Sequence, residues 1–197
     1  MFQVRIHGRG GQGVVTAAEL LSVAAFEEGK FSQAFPSFGS ERMGAPVMAF
    51  TRISDKPIRL REPVARPDAL IVQDPTLLHQ VDLFNGLPPE GFLLINTGRS
   101  LAELGIETLL GRHAEENIVT VPATEIAIRS IGRPLPNAAL LGAFSALTGA
   151  VKLSSLEAAI RRKFSAKVAD ANIAAAREAY AAVCGERLVE THNVEAD

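Results

Sequence analysis

Apolar positions in the first two thirds of the chain fall into short runs that alternate with segments of helical period. Phe2, Val4 and Ile6 mark a first strand over Phe2–Ile6. Val14, Ala17, Ala18, Leu21 and Ala25 then recur at helical spacing, which predicts a helix over Val14–Phe26. Phe31–Phe35 and Val47–Ile53 read as strands, and PDALIVQD (Pro67–Asp74) as a buried strand followed by a helix over Pro75–Phe84. GFLLINTG (Gly91–Gly98) and NIVTVPA (Asn117–Ala123) are further strands, with a helix near Thr124–Ser130. Val/Ile/Leu runs without polar alternation predict strands covered on both faces, the usual case in α/β sheets.

From Asn137 onward the strand signals stop and helical stripes take over. Leu140, Leu141, Phe144, Leu147 and Val151 form one stripe; Leu156, Ile160, Phe164 and Val168 a second; Ile173, Ala176, Tyr180 and Val183 a third. The expected architecture is α/β: a mostly parallel, Rossmann-like sheet flanked by helices, with a helical C-terminal part, in a single domain over residues 1–197. Residues Val189–Asp197 are expected to fray.

Composition narrows the function without naming it. The 197 residues are 47% hydrophobic and 21% charged, which is a globular balance. Twenty basic against 22 acidic residues leave a net charge of −2, so no general pull toward nucleic acid or an anionic membrane surface is expected. No apolar run approaches the ~20 residues of a bilayer span, and the chain reads as cytoplasmic. Its one cysteine, Cys184, excludes an intrachain disulfide and cannot alone hold an iron–sulfur cluster.

The chemistry gathers in HGRGGQG, between the first strand and the first helix. There Gly8, Arg9, Gly10, Gly11, Gln12 and Gly13 place bare backbone at a helix start, where unpaired N–H groups attract an anion. Arg9 offers a bidentate contact to phosphate or carboxylate, and Gln12 a neutral one. Gly8, Gly10 and Gly13 also fit G-x-G-x-x-G, yet no acid ends the second strand to bind a ribose; Glu27 and Glu28 precede it. Nicotinamide binding is therefore disfavoured. Anion binding, close approach of a partner, and a turn needed only for tight packing remain open.

A second irregular stretch, SFGSERMGAP, carries Ser37, Gly39, Ser40, Glu41, Arg42 and Gly44 in a loop long enough for a substrate or interface role. In an open α/β sheet both stretches lie beyond the carboxyl ends of strands, where ligands bind.

GRGGQGVVTAAELL followed by QAFPSFGSERMGAPVMAFTRISDKPI resembles the gamma subunit of the 2-oxoacid:ferredoxin oxidoreductases of pyruvate synthase type. The resemblance continues through PDALIVQDPTLL and GFLLINT into NAALLGAFSALTG, and departs at Ser40 and Met43. It implies a multi-subunit enzyme that converts a 2-oxoacid and coenzyme A to acyl-CoA, carbon dioxide and two electrons, inactive as this chain alone. Thiamine pyrophosphate, Mg²⁺ and iron–sulfur clusters would be carried by alpha, beta and ferredoxin-like delta subunits, with ferredoxin or a flavin- or NAD-linked subunit as acceptor. This chain would then contribute no catalytic residue and no metal ligand. Coenzyme A is the favoured ligand of Gly8 to Gly13, its diphosphate suiting the amides of Gly10 to Gly13 and the Arg9 guanidinium. Alternatively, that loop buttresses a subunit interface, or the chain is a freestanding anion- or nucleotide-binding α/β protein.

Other residues carry weaker expectations. Among the histidines only His7, beside the glycine loop, stands out. Cys184 reads as a small core residue, and Arg161, Arg162 and Lys163 as a basic helix face that is either solvated or paired with another subunit.

Overall fold

The computed structural model describes residues 1–37, 43–106, 111 and 113–194, with side chains to residue 185. Six strands form one sheet: β1 (Phe2–Arg9), β2 (Phe31–Pro36), β3 (Pro46–Ser54), β4 (Ala69–Val72), β5 (Phe92–Asn96) and β6 (Ile118–Val121), in the spatial order β2-β3-β1-β4-β5-β6. β1, β4, β5 and β6 pair in parallel, as the continuous apolar runs imply. β3 runs against both β1 and β2, so the sheet is mixed. The chain returns from β2 through the loop before β3 and inserts β3 between β2 and β1. This reversal sets the end of that loop beside the glycine loop.

Six α-helices follow the strands among the described residues: α1 (Val14–Glu27), α2 (Leu101–Leu104), α3 (Ala123–Ile131), α4 (Asn137–Thr148), α5 (Leu153–Lys163) and α6 (Ala166–Val194). One face of the sheet, with Val4, Ile6, Ile71 and Leu94, packs against α1 and the C-terminal helices. Leu70, Val72, Leu93 and Ile95 point to the other face, which is covered by Leu77, Leu78, Leu83 and Leu87 and by Leu104 and Ile106.

Several boundaries differ from the expected ones for local reasons. The helix expected over Pro75–Phe84 is a short 3-10 turn, Pro75–His79, capped by Asp74, whose side chain accepts from the Thr76 amide. Beyond it Leu83 and Leu87 are buried by an irregular chain that Gly86 and Pro88 keep from continuing as a helix. The second helical stripe is divided, because α5 ends at Lys163 and α6 starts at Ala166; Val168 is 42% exposed. α4 carries no narrow stripe: Ala138 to Ser145 are all buried, since α4 lies among the sheet, α1, α3, α5 and α6. α6 continues to Val194, past the point where fraying was expected.

Cys184 is half-buried beside Tyr180 rather than in the core. The basic cluster is paired within the chain, Arg161 with Asp170, Arg162 with Glu27 and Lys163 with Glu19. No helix among the described residues is long and apolar enough to cross a membrane.

Candidate functional site: a braced glycine loop between two clefts

β1 ends at Arg9 and α1 begins at Val14, so the glycine motif occupies the strand-to-helix junction as expected. Gly8 remains in the strand, opposite Val47 of β3. Gly11 and Gly13 have φ of 92° and 75°, the left-handed region that a side chain disfavours. Space is short as well: a Cβ on Gly13 would lie 2.4 Å from Asn137 Nδ2, and one on Gly11 2.8 Å from Met43 Sδ.

The two sequence motifs meet here. The Gly10 amide donates to the Ala45 carbonyl at 2.9 Å, and the Gly44 amide donates to the Gly10 carbonyl at 3.1 Å. Ser37 sits at the other end of the second loop, its amide donating to the Met48 carbonyl at 2.9 Å. Gly39, Ser40, Glu41 and Arg42, expected in a substrate or interface role, lie outside the described residues.

Arg9 and Gln12 are engaged within the chain. The Arg9 Nε lies 3.2 Å from Asp74 Oδ2; one terminal nitrogen donates to the Gly44 carbonyl at 3.0 Å, and the other to Thr76 Oγ1 at 2.7 Å and Gln80 Oε1 at 2.9 Å. Gln12 accepts from the Arg9 amide at 2.8 Å and donates to Asp74 Oδ2 at 2.7 Å. Burial alone would raise the Asp74 pKa. Hydrogen bonds from Thr76 and Gln12, with the Arg9 charge, outweigh that and hold the carboxyl below its ordinary value. Asp74 is therefore the hub of a clasp joining the glycine loop, the second loop and the turn after β4.

The unpaired backbone donors lie on the loop itself. The Gly11 and Gly13 amides have no backbone acceptor among the described residues, and the first amides of α1 have none within the helix. Clefts flank the loop on both sides. One, about 410 Å³, is lined by Gly10, Gly11, Val15, Met43 and Val47. The other, about 520 Å³, runs from Gly11, Gly13 and Thr16 toward Arg133, Asn137 and Phe164. A further cleft of about 510 Å³, against Phe26 on α1, lies apart from this loop.

Beneath the loop runs a chain of side-chain amides that sequence reading missed. Asn96, ending β5, donates to the Gln73 carbonyl at 2.7 Å and to Thr124 Oγ1 at 2.8 Å, and accepts from the Thr124 amide at 3.1 Å. Gln73 Nε2 donates to Asn137 Oδ1 at 2.7 Å. The available signal was positional: LIVQD and LLINT each end an apolar strand on polar residues, at the carboxyl end of the sheet where the glycine loop sits.

His7 faces the opposite side of the sheet from Ile6 and is 4% exposed, its Nε2 without a partner in the described structure. Burial, aided by the Arg5 charge, lowers its pKa to about 3, so it is neutral near pH 7. The unfolded chain binds a proton near pH 6.5 that the folded chain refuses until about pH 3. Stability attributable to this residue is thus complete above pH 6.5 and declines as pH falls toward 3. A His7→Gln variant should unfold with a flatter pH dependence across that window in urea titrations; an unchanged slope would show that His7 is not the titrating group.

The pyruvate ferredoxin/flavodoxin oxidoreductase family matches residues 3–182. The chain is 50% identical over 182 residues to pyruvate synthase subunit PorC of Methanothermobacter marburgensis, covering 91% of this chain and 96% of that one. It is 50% identical over 180 residues to the pyruvate/ketoisovalerate oxidoreductases common subunit gamma of Pyrococcus furiosus, with the same coverage of 91% and 96%. The crystal structure of pyruvate oxidoreductase subunit PORC from Thermotoga maritima superposes with a TM-score of 0.78 at 40% identity, over 91% of this chain and 94% of that one. With the family matched over residues 3–182 and relatives 50% identical across 91% of its length, the chain belongs to the pyruvate ferredoxin/flavodoxin oxidoreductase family.

Proposed function

We propose that this chain is the gamma subunit of a multi-subunit 2-oxoacid:acceptor oxidoreductase, in which it helps to close the active site and holds coenzyme A against the glycine loop. The observation that carries this reading is the loop itself. Gly11 and Gly13 expose backbone amides at a helix start, between two clefts, with Arg9 and Gln12 turned inward to brace them. Such a surface suits a diphosphate, with the arms of the ligand lying along the clefts.

The same residues do not suit the redox and thiamine chemistry. No three His, Cys, Asp or Glu side chains converge as metal ligands among the described residues, and Cys184 is the chain's one cysteine. In this reading thiamine pyrophosphate, Mg²⁺ and iron–sulfur clusters are carried by alpha, beta and ferredoxin-like delta partners, as the resemblance implies. Ferredoxin, or a flavin- or NAD-linked subunit, would take the electrons. The Pyrococcus relative is named as common to pyruvate and ketoisovalerate oxidoreductases, which favours acid selection by chains other than this one.

The reading is tested by anaerobic affinity isolation of the tagged chain from its own cells, with assay of coenzyme A-dependent viologen reduction on a panel of 2-oxoacids. Recovery with thiamine-binding and cluster-carrying chains, and activity on one or more acids, is expected. Recovery alone and without activity would favour a freestanding anion-binding protein instead.

A further inference from the structure

β3 ends at Ser54 and β4 starts at Ala69, and the strap that joins them, residues 55–68, contains no helix or strand. It leaves the sheet where Ile53 pairs with Phe2, at the opposite end of β1 from the glycine loop, roughly 24 Å away at about 3.4 Å per strand residue. Its shape is fixed from behind. Arg52 of β3, 1% exposed, lies over the Phe35 ring at 5.0 Å from its centroid and donates from Nη2 to the Glu62 carbonyl at 2.5 Å. Gln3 Nε2 donates to the Arg66 carbonyl at 3.3 Å, and Val64 is buried. Gly86, with φ of 80°, lets the following loop close on the strap: a Cβ there would lie 2.0 Å from the Ala65 carbonyl oxygen. Pro57, Pro63 and Pro67 fix φ at three further points.

The outward side of the strap is basic. Lys56, Arg59, Arg61 and Arg66 are exposed, and none has an acidic partner among the described residues. The strap's own acids are engaged elsewhere. Asp68 accepts from the Gln3 amide at 2.7 Å, the Glu62 charge offsets the buried Arg52 guanidinium, and Asp55 lines a cleft that also holds Lys30. Exposed cations on the helices are instead matched within the chain, Arg129 with Glu178, Arg161 with Asp170 and Arg177 with Glu157. Between Arg59 and Arg61 stands Leu60, 41% exposed. Arginines around an apolar side chain, on a backbone already held in place, suit a protein contact that pays little ordering entropy.

We propose that this strap is a docking surface for an acidic face of another chain of the assembled enzyme, with Arg59, Arg61 and Arg66 pairing with carboxylates around Leu60. This rests on the reading that the chain is a subunit, and is independent of what the glycine loop binds. Charge complementarity selects the partner: cations left without acids in this chain meet acids supplied by the next.

The test is made on the purified multi-subunit enzyme. Arg59→Glu combined with Arg61→Glu should weaken association of this chain with the others roughly twentyfold, read as subunit dissociation on dilution by mass photometry. Arg129→Glu combined with Arg161→Glu imposes the same change in net charge on exposed cations already paired within the chain, and should leave association unchanged. A conservative variant tests the contact itself: with Arg59→Lys and Arg61→Lys, a water-soluble carbodiimide should join the new ammonium groups to Asp or Glu of another chain. Equal weakening by the two glutamate pairs, or no cross-link to another chain, would overturn the proposal. Unchanged association with a raised Michaelis constant for the electron-accepting protein would overturn it too, and move the surface to that carrier. Failure of the unmodified chain to recover any partner would overturn the subunit reading itself, and this proposal with it.

Discussion

Replacing Gly142 by alanine is expected to destabilise the protein by about 3 kcal/mol, close to the upper end for overpacking. In an isolated helix the same change is favourable by about 1 kcal/mol, because glycine has more backbone freedom to lose. Here the sign reverses. The Cβ would lie 2.0 Å from the Ala176 carbonyl oxygen and 2.7 Å from its carbon, on the backbone of the neighbouring helix α6. No rotamer relieves that overlap, so α4 and α6 must move apart along a surface where Ala138, Ala139, Ala175, Ala176 and Ala179 are almost fully buried. For a chain of this size the loss corresponds to a drop of roughly 6–12 °C in melting temperature. Gly185→Ala, on the exposed part of α6 with open space around its Cβ position, is the control and should raise the melting temperature slightly. Equal, positive shifts for both variants would refute the close approach. The displacement would also reach the site, since α4 starts at Asn137.

The second large effect concerns the clasp. In the assembled enzyme, Arg9→Ala should raise the Michaelis constant for coenzyme A at least ~30-fold, equivalent to about 2 kcal/mol, and leave that for the 2-oxoacid nearly unchanged. The cause is the loss of the tie between Asp74, Gly44, Thr76 and Gln80, which leaves the glycine loop free to shift. Asp74→Ala removes the same tie from its other side, together with the anchor of Gln12. The double variant should therefore be little worse than either single one, because both act through one network. A large effect of Arg9→Ala with none from Asp74→Ala would make Arg9 a direct ligand of coenzyme A. Equal rises for coenzyme A and the 2-oxoacid would remove the glycine loop as the coenzyme A site.

Much of the fold was legible because its signals are local. Strands of four to nine residues bounded by turns, and helices whose faces repeat every 3.6 residues, leave their period in the sequence, and the observed strands coincide with the expected ones to within a few residues. Where the reading failed, burial was set by neighbours rather than by period. α4 is buried almost all round, so no stripe describes it, and the turn after β4 is held by a cap and by apolar residues with no helical register.

The sequence by itself determined that glycines would join a first strand to a first helix, that an α/β sheet would precede a helical tail, and that two motifs resembled one family. Only the tertiary structure decided how those glycines are held and which groups are left for a ligand. Arg9 and Gln12 looked like free ligand contacts because their acceptors lie far along the chain, on Gly44, Asp74, Thr76 and Gln80. A donor's availability depends on whether folding supplies it with an acceptor, and here those acceptors come from segments 35 to 71 residues away.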